Sequence, residues 1–190
     1  MSVHSHPPAA ATRRFSIGDG VVEFLARRRR REVLGQVRGR LLDIGCGDNR
    51  LVRSYGNGLG VDILQWGDVD LVVPDTNKIP LENESFDSVS FVACLNHIPN
   101  REAVLDEAHR LLRPGGRLIA TMLSPGISRL WHRIIAPWDP DQHGRELDAG
   151  EVWGISNDEM RRLLERHRFD VVLHRRFVLV NNLFVAEVRK

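Results

Sequence analysis

Between Arg40 and Leu123 the chain alternates short apolar runs with stretches of helical period. Five runs have strand length: Arg40–Gly45, Gly58–Ile63, Val69–Val73, Phe86–Cys94 and Arg117–Leu123. The run ending at Cys94 is apolar at six of its nine positions, a near-continuous character that suits a strand covered on both faces. Helical spacing marks Val21–Val37, with Val22, Leu25, Ala26, Val33, Leu34 and Val37 on one face, and Arg101–Leu112, with Val104, Leu105, Ala108, Leu111 and Leu112. Arg113-Pro114-Gly115-Gly116 closes the second helix with a turn. A third helix spans Ser156–Arg168. It opens on a capping box, Ser156 with Glu159, and turns Met160, Leu163 and Leu164 inward. Phe169–Val178 and Leu183–Val188 then read as two strands of a hairpin turning near Asn181-Asn182. Strands alternating with helices predict an α/β fold built on a parallel sheet.

The first strand ends in Leu41-Leu42-Asp43-Ile44-Gly45-Cys46-Gly47-Asp48-Asn49-Arg50. An apolar run, an acid and a Gly-x-Gly turn before a helix-forming segment bring backbone close to a ligand, which glycine permits. A dinucleotide fingerprint would put a third glycine at position 50, where close helix–strand packing needs it. Arg50 stands there instead. Asn49 occupies the last position of an acid-x-Gly-x-Gly-x-Gly turn, and Asn tolerates left-handed backbone. Asp62 ends the second strand 19 positions after Asp43. An acid so placed can accept hydrogen bonds from ribose hydroxyls.

Composition narrows the field without deciding it. The chain has 190 residues, suited to one domain, and 42% are apolar. No apolar run approaches the roughly 20 residues of a membrane span. Net charge is +2, so the chain as a whole does not read as a nucleic-acid binder. The two cysteines, Cys46 and Cys94, form neither a metal-binding pair nor a disulfide framework, and a cytoplasmic setting is expected. Residues 1–16 carry no periodicity and are expected to be a disordered tail. Arg13-Arg14 is followed by Gly18-Asp19-Gly20, not by the apolar stretch of an export signal. Arg27–Arg31 is a run of five arginines, read either as a phosphate or RNA patch or as a solvated helix face.

Residues 75–123 add Asp75-Thr76, Ile79-Pro80, Ser85-Phe86-Asp87, Asn96-His97-Ile98-Pro99 and Leu112-Arg113-Pro114-Gly115-Gly116. Taken in order with the glycine turn and Gly60-Val61-Asp62, these pieces resemble the class I S-adenosylmethionine (SAM)-dependent methyltransferases, the stand-alone type acting on small molecules and lipids. The resemblance covers about Asp43 to Leu123. It implies a Rossmann-like, doubly wound, mostly parallel seven-stranded sheet with a C-terminal antiparallel hairpin, and a single methyltransferase domain over residues 17–190. It implies SAM as cofactor and S-adenosylhomocysteine as product. Gly45, Cys46, Gly47 and Asn49 would then line the methionine part, and Asp43 its amino group. Asp62 would bind the ribose with Ile63 beside it, Asp75 and Thr76 the adenine, and Cys94 would line the pocket.

Residues 124–155 match no pattern and hold three tryptophans, Trp131, Trp138 and Trp153. Long insertions in compact domains are commonly lids or binding loops. In the family it resembles, the segment after the fifth strand commonly covers the substrate, so the resemblance implies the acceptor here, on Trp131, His132, Trp138 and Trp153. His97 and His143 are candidate general bases. Asp139, Asp141 and His143 are spaced too loosely for a metal, and none is assigned. The resemblance also excludes some substrates. No Asn-Pro-Pro-Tyr segment follows the fourth strand, as in nucleobase-amine methyltransferases of the family, and Cys94 lacks the preceding proline of the cytosine-C5 type. A small-molecule, lipid or sugar-linked acceptor is the leading expectation. An RNA or protein methyltransferase docking through Arg27–Arg31, and a non-catalytic SAM-binding regulator, remain the alternatives.

Overall fold

The computed structural model describes residues 17–127, 150–178 and 181–189. Their elements are α1 (Ile17–Leu34), β1 (Leu41–Ile44), α2 (Arg50–Tyr55), β2 (Gly58–Asp62), β3 (Leu71–Val72) and β4 (Phe86–Val92). A single 3-10 turn (Leu95–His97) leads to α3 (Arg101–Leu111) and β5 (Leu112–Leu123). After the insertion come α4 (Asn157–Arg166), β6 (Phe169–Phe177) and β7 (Asn181–Val188).

One seven-stranded sheet runs in the order β3-β2-β1-β4-β5-β7-β6. The first five strands are parallel, and β7 runs antiparallel between β5 and β6. Every residue of β1 is buried, which explains its lack of polar alternation. Side chains divide by parity between two cores. Leu42, Ile44, Leu118, Ala120 and Phe184 pack with α3 and α4, whereas Leu41, Ile119, Leu183 and Val185 pack with Val33 of α1 and Leu51 and Val52 of α2. Full burial of each such Leu or Val contributes about 1.5–3 kcal/mol. The strand order reverses at β1, between β2 and β4, so the carboxyl ends of these strands frame a crevice where ligands bind in such sheets.

Two local expectations are corrected and a third holds. Arg113-Pro114-Gly115-Gly116 lies within β5, where the pairing with β4 shifts register between Phe86 and Ser88 and absorbs the extra residues. Asn181 and Asn182 are not the hairpin turn but the first residues of β7, paired with Phe177 and Arg176. Ser156 does cap its helix, its Oγ accepting from the Glu159 N–H at 3.2 Å.

Candidate cofactor site at the ends of β1, β2 and β4

The turn after β1 is shaped by its glycines and by Asp62. Gly45 has φ +71°, and a Cβ there would fall 2.9 Å from the Cys94 side chain. The chain at Cys94 is brought that close by Ala93, itself left-handed at φ 57°. Gly47, at φ +54°, has nothing within 4 Å of its Cβ direction, which leaves open space over the turn. Asp62, at the end of β2, ties the turn down. Its Oδ2 accepts from Gly47 N–H at 2.9 Å, and its Oδ1 accepts from the N–H groups of Ile63 at 2.8 Å and Leu64 at 3.2 Å. A carboxylate has about four acceptor positions, so Oδ2 keeps capacity for a hydroxyl donor.

Asp43 is buried on β1 and receives a 2.6 Å hydrogen bond from the Ser90 hydroxyl. Burial pushes its carboxyl up to about 7, the Ser90 bond opposes this, and the nearby charges of Asp62 and Asp48 push the same way. No cation among the described residues pairs with it, so a positively charged ligand is the natural complement. Burial raises the Cys46 thiol, with Asp43 and Asp62 adding to the effect. Burial likewise raises Cys94, whose Sγ lies 3.1 Å from the Ile44 carbonyl. Both are packing thiols, not nucleophiles.

Asn49 is left-handed at φ 60°, as its place in the turn requires, but its side chain is fully buried and turns away from the crevice. Its amide donates to the Asp68 carbonyl and to Asp70 Oδ2, both at 2.8 Å. It lies directly over Gly60, where a Cβ would come within 2.0 Å of Asn49 Oδ1. Asp70 also accepts from Gly60 N–H at 2.8 Å and pairs with Arg53. Sequence reasoning missed this latch because Asp68 and Asp70 lie outside the motif.

Ile63 is exposed beside Asp62. Asp75 lies at the edge of the crevice, with Oδ1 accepting from Asn77 N–H at 2.9 Å and both oxygens 3.0 Å from the Asn100 amide. Thr76 is buried next to it. His97 ends the 3-10 turn after β4, and its Nδ1 lies 3.7 Å from Oε2 of Glu151, whose side chain is buried. Glu151 went unnoticed in the sequence. It arrives because the end of the insertion docks on this turn. Val152 N–H donates to the Asn96 carbonyl at 3.0 Å, and the Asn96 amide to the Val152 carbonyl at 3.3 Å. Trp153 is partly buried in the same segment. Trp131, His132, Trp138, Asp139, Asp141 and His143 lie outside the described residues, as do residues 1–16.

The arginine run does not make one face. Arg27 and Arg30 pair with Glu23, and Arg28 with Glu32, while Arg29 turns toward the sheet. Among the described residues no helix is long and apolar enough to cross a membrane.

A family model described as a methyltransferase domain matches residues 42–120. Phthiotriol/phenolphthiotriol dimycocerosates methyltransferase 1 of Mycobacterium ulcerans is 36% identical over 98 residues, which is 47% of this chain and 34% of that protein. A SAM-dependent methyltransferase of Thermotoga maritima, described as a possible histamine N-methyltransferase, superposes with TM-score 0.69 at 18% identity, covering 91% of this chain and 96% of the other. The Burkholderia thailandensis 1,6-didemethyltoxoflavin-N1-methyltransferase, solved with its substrate and S-adenosylhomocysteine, gives TM-score 0.66 at 20% identity, covering 90% and 83%. These two likenesses concern the fold. The chain spans 34%, 36% and 27% of the length of three curated relatives it matches, and about half or less of others.

Proposed function

Because the chain belongs to the class I SAM-dependent methyltransferases, we propose that it binds SAM across the ends of β1 and β2 and methylates a small-molecule or lipid acceptor. The observation that carries this reading is the pair of acids flanking the open glycine turn: Asp43, buried and without a cation, and Asp62, with acceptor capacity to spare. Their chemistry suits a ligand carrying an ammonium group, a sulfonium and ribose hydroxyls. When bound, SAM supplies an activated methyl whose departure leaves a neutral thioether.

The residues of the chain then have separate tasks. Asp43 accepts from the ammonium of the methionine part, and the backbone of Gly45, Cys46, Gly47 and Asn49 lies along it. Asp62 accepts from a ribose hydroxyl, with Ile63 beside it. Asp75 and the Thr76 backbone receive the adenine edge, and Cys94 closes the pocket wall behind Gly45. His97 is the general base for a hydroxyl acceptor, with the Glu151 carboxylate 3.7 Å from its Nδ1, and His143 is the other candidate. Residues 124–155 cover the acceptor and exclude water, with Trp131, His132, Trp138 and Trp153 supplying contact surface. Alignment of acceptor and methyl supplies most of the rate, since the reagent is already activated.

The M. ulcerans relative, by its name, acts on phthiotriol and phenolphthiotriol dimycocerosates, which supports the acceptor class proposed. The test is transfer of isotope-labelled methyl from SAM to fractionated cellular small molecules, lipids, RNA and protein. Label in the small-molecule or lipid fraction, lost with Asp62→Ala, is expected. Label in RNA or protein alone would favour the other acceptors, and SAM binding without any label a regulatory role.

A further inference from the structure

Arg29 is the one member of the arginine run that faces inward. Its Nη2 donates to Asn181 Oδ1 at 3.1 Å, and its Nε is buried with no acceptor. The neighbouring acids are taken. Glu23 pairs with Arg27, Arg30 and Arg50, and Glu32 with Arg28 and Arg175. Among the described residues no carboxylate balances Arg29. Burial pushes its guanidinium down from the ordinary value, the mark of a cation lacking a counter-charge.

A second orphan lies on the same side of the sheet. Thr121 of β5 is 1% exposed, and its Oγ1 has no partner. Thr121 stands opposite Leu183, and Leu123, two residues on, stands opposite Asn181. Directly paired residues share a face and side chains repeat every second residue, so Thr121 and Asn181 both point to the α1 side. Leu183 packs there with Val33, one turn beyond Arg29. A water could satisfy the hydroxyl and Nε, but it would leave a buried charge uncompensated. An acidic group seated between them would satisfy both donors and the charge together.

The position suits an acceptor. Leu123 is the carboxyl end of β5, immediately before the insertion, and β5 adjoins β4, whose end carries His97. Two strand spacings, roughly 10 Å, separate β5 from β1 and Asp43. Resting on the methyltransferase reading above, we infer that Arg29, the Thr121 hydroxyl and the Asn181 amide seat a carboxylate or phosphoryl group of the methyl acceptor, which is therefore an anionic molecule.

The experiment uses full-length protein with 15N-labelled arginine, saturated with S-adenosylhomocysteine. The Arg29 Nε–H resonance is followed during separate titrations with benzoate and with inorganic phosphate. A saturable shift with at least one anion is expected, and which one responds separates a carboxylate from a phosphoryl group. Arg29→Gln should weaken the saturable thermal stabilisation by that anion roughly tenfold or more, while binding S-adenosylhomocysteine as wild type does. Thr121→Val is isosteric and keeps the fold if Arg29→Gln does not. It should also weaken the anion response. An Arg29 resonance unmoved by both anions, or an anion response unchanged in both variants, would overturn the inference. Failure of wild type to bind S-adenosylhomocysteine would instead remove the methyltransferase reading itself, so the two failures are told apart.

Discussion

Replacing Asp43 with asparagine should stabilise the ligand-free protein, and by an amount that grows with pH. In the folded chain this carboxyl is pushed from its ordinary 3.8 up to about 7, first by burial and then by Asp62 and Asp48. A raised folded-state value means that the native protein holds the proton more tightly than the unfolded chain. The contribution is fully present below pH 3.8 and is lost as pH rises through about 7. At about 1.4 kcal/mol per pH unit, the whole loss is on the order of 4 kcal/mol. The asparagine amide of the variant would still accept the Ser90 hydrogen bond and has nothing to ionise. Urea unfolding of wild type and Asp43→Asn at pH 5 and pH 8 should therefore show the variant's advantage growing by about 3 kcal/mol between the two. The same comparison with SAM present should reverse, because a cationic ligand favours the charged form that the variant lacks. An advantage equal at both pH values would refute the burial argument for Asp43.

Gly60→Ala should destabilise the fold by about 2 kcal/mol or more, since the new methyl would meet Asn49 Oδ1. Asn49→Gly in the same chain should restore part of that loss, read by urea denaturation as a non-additive pair. Ser156→Ala should cost about 1 kcal/mol through loss of the cap to Glu159 N–H, with little effect on SAM binding. A loss of SAM affinity in that variant would show α4 coupled to the cofactor site.

The parts of the fold that were legible are those whose local pattern and tertiary role agree. β1, β2, β4 and α3 announce themselves by buried runs and helical spacing, and the glycine turn by its acid and its two glycines. Asn181-Asn182 misled because turn propensity and strand membership disagree there. Their amides find partners in the fold, Arg29 for Asn181, and His174 and Ser124 for Asn182, so they join β7. Asn49 belongs by sequence to the cofactor turn, and its left-handed backbone agrees with that. Its side chain answers to Asp68 and Asp70, which no local pattern connects to it. Glu151 meets His97 only because the segment from Gly150 to Val152 docks on the turn after β4. The arginine run looked uniform in one dimension, while helical geometry sends Arg29 inward and its neighbours to Glu23 and Glu32.

The most direct test of the cofactor site is calorimetric titration of SAM into wild type and Asp62→Ala. Micromolar binding, about −8 kcal/mol, is expected for wild type. The variant should bind at least roughly tenfold more weakly, because it loses a charged ribose acceptor and the bond to Gly47 N–H that shapes the turn. Wild type that binds neither SAM nor S-adenosylhomocysteine, or a variant that binds as tightly as wild type, would contradict the account.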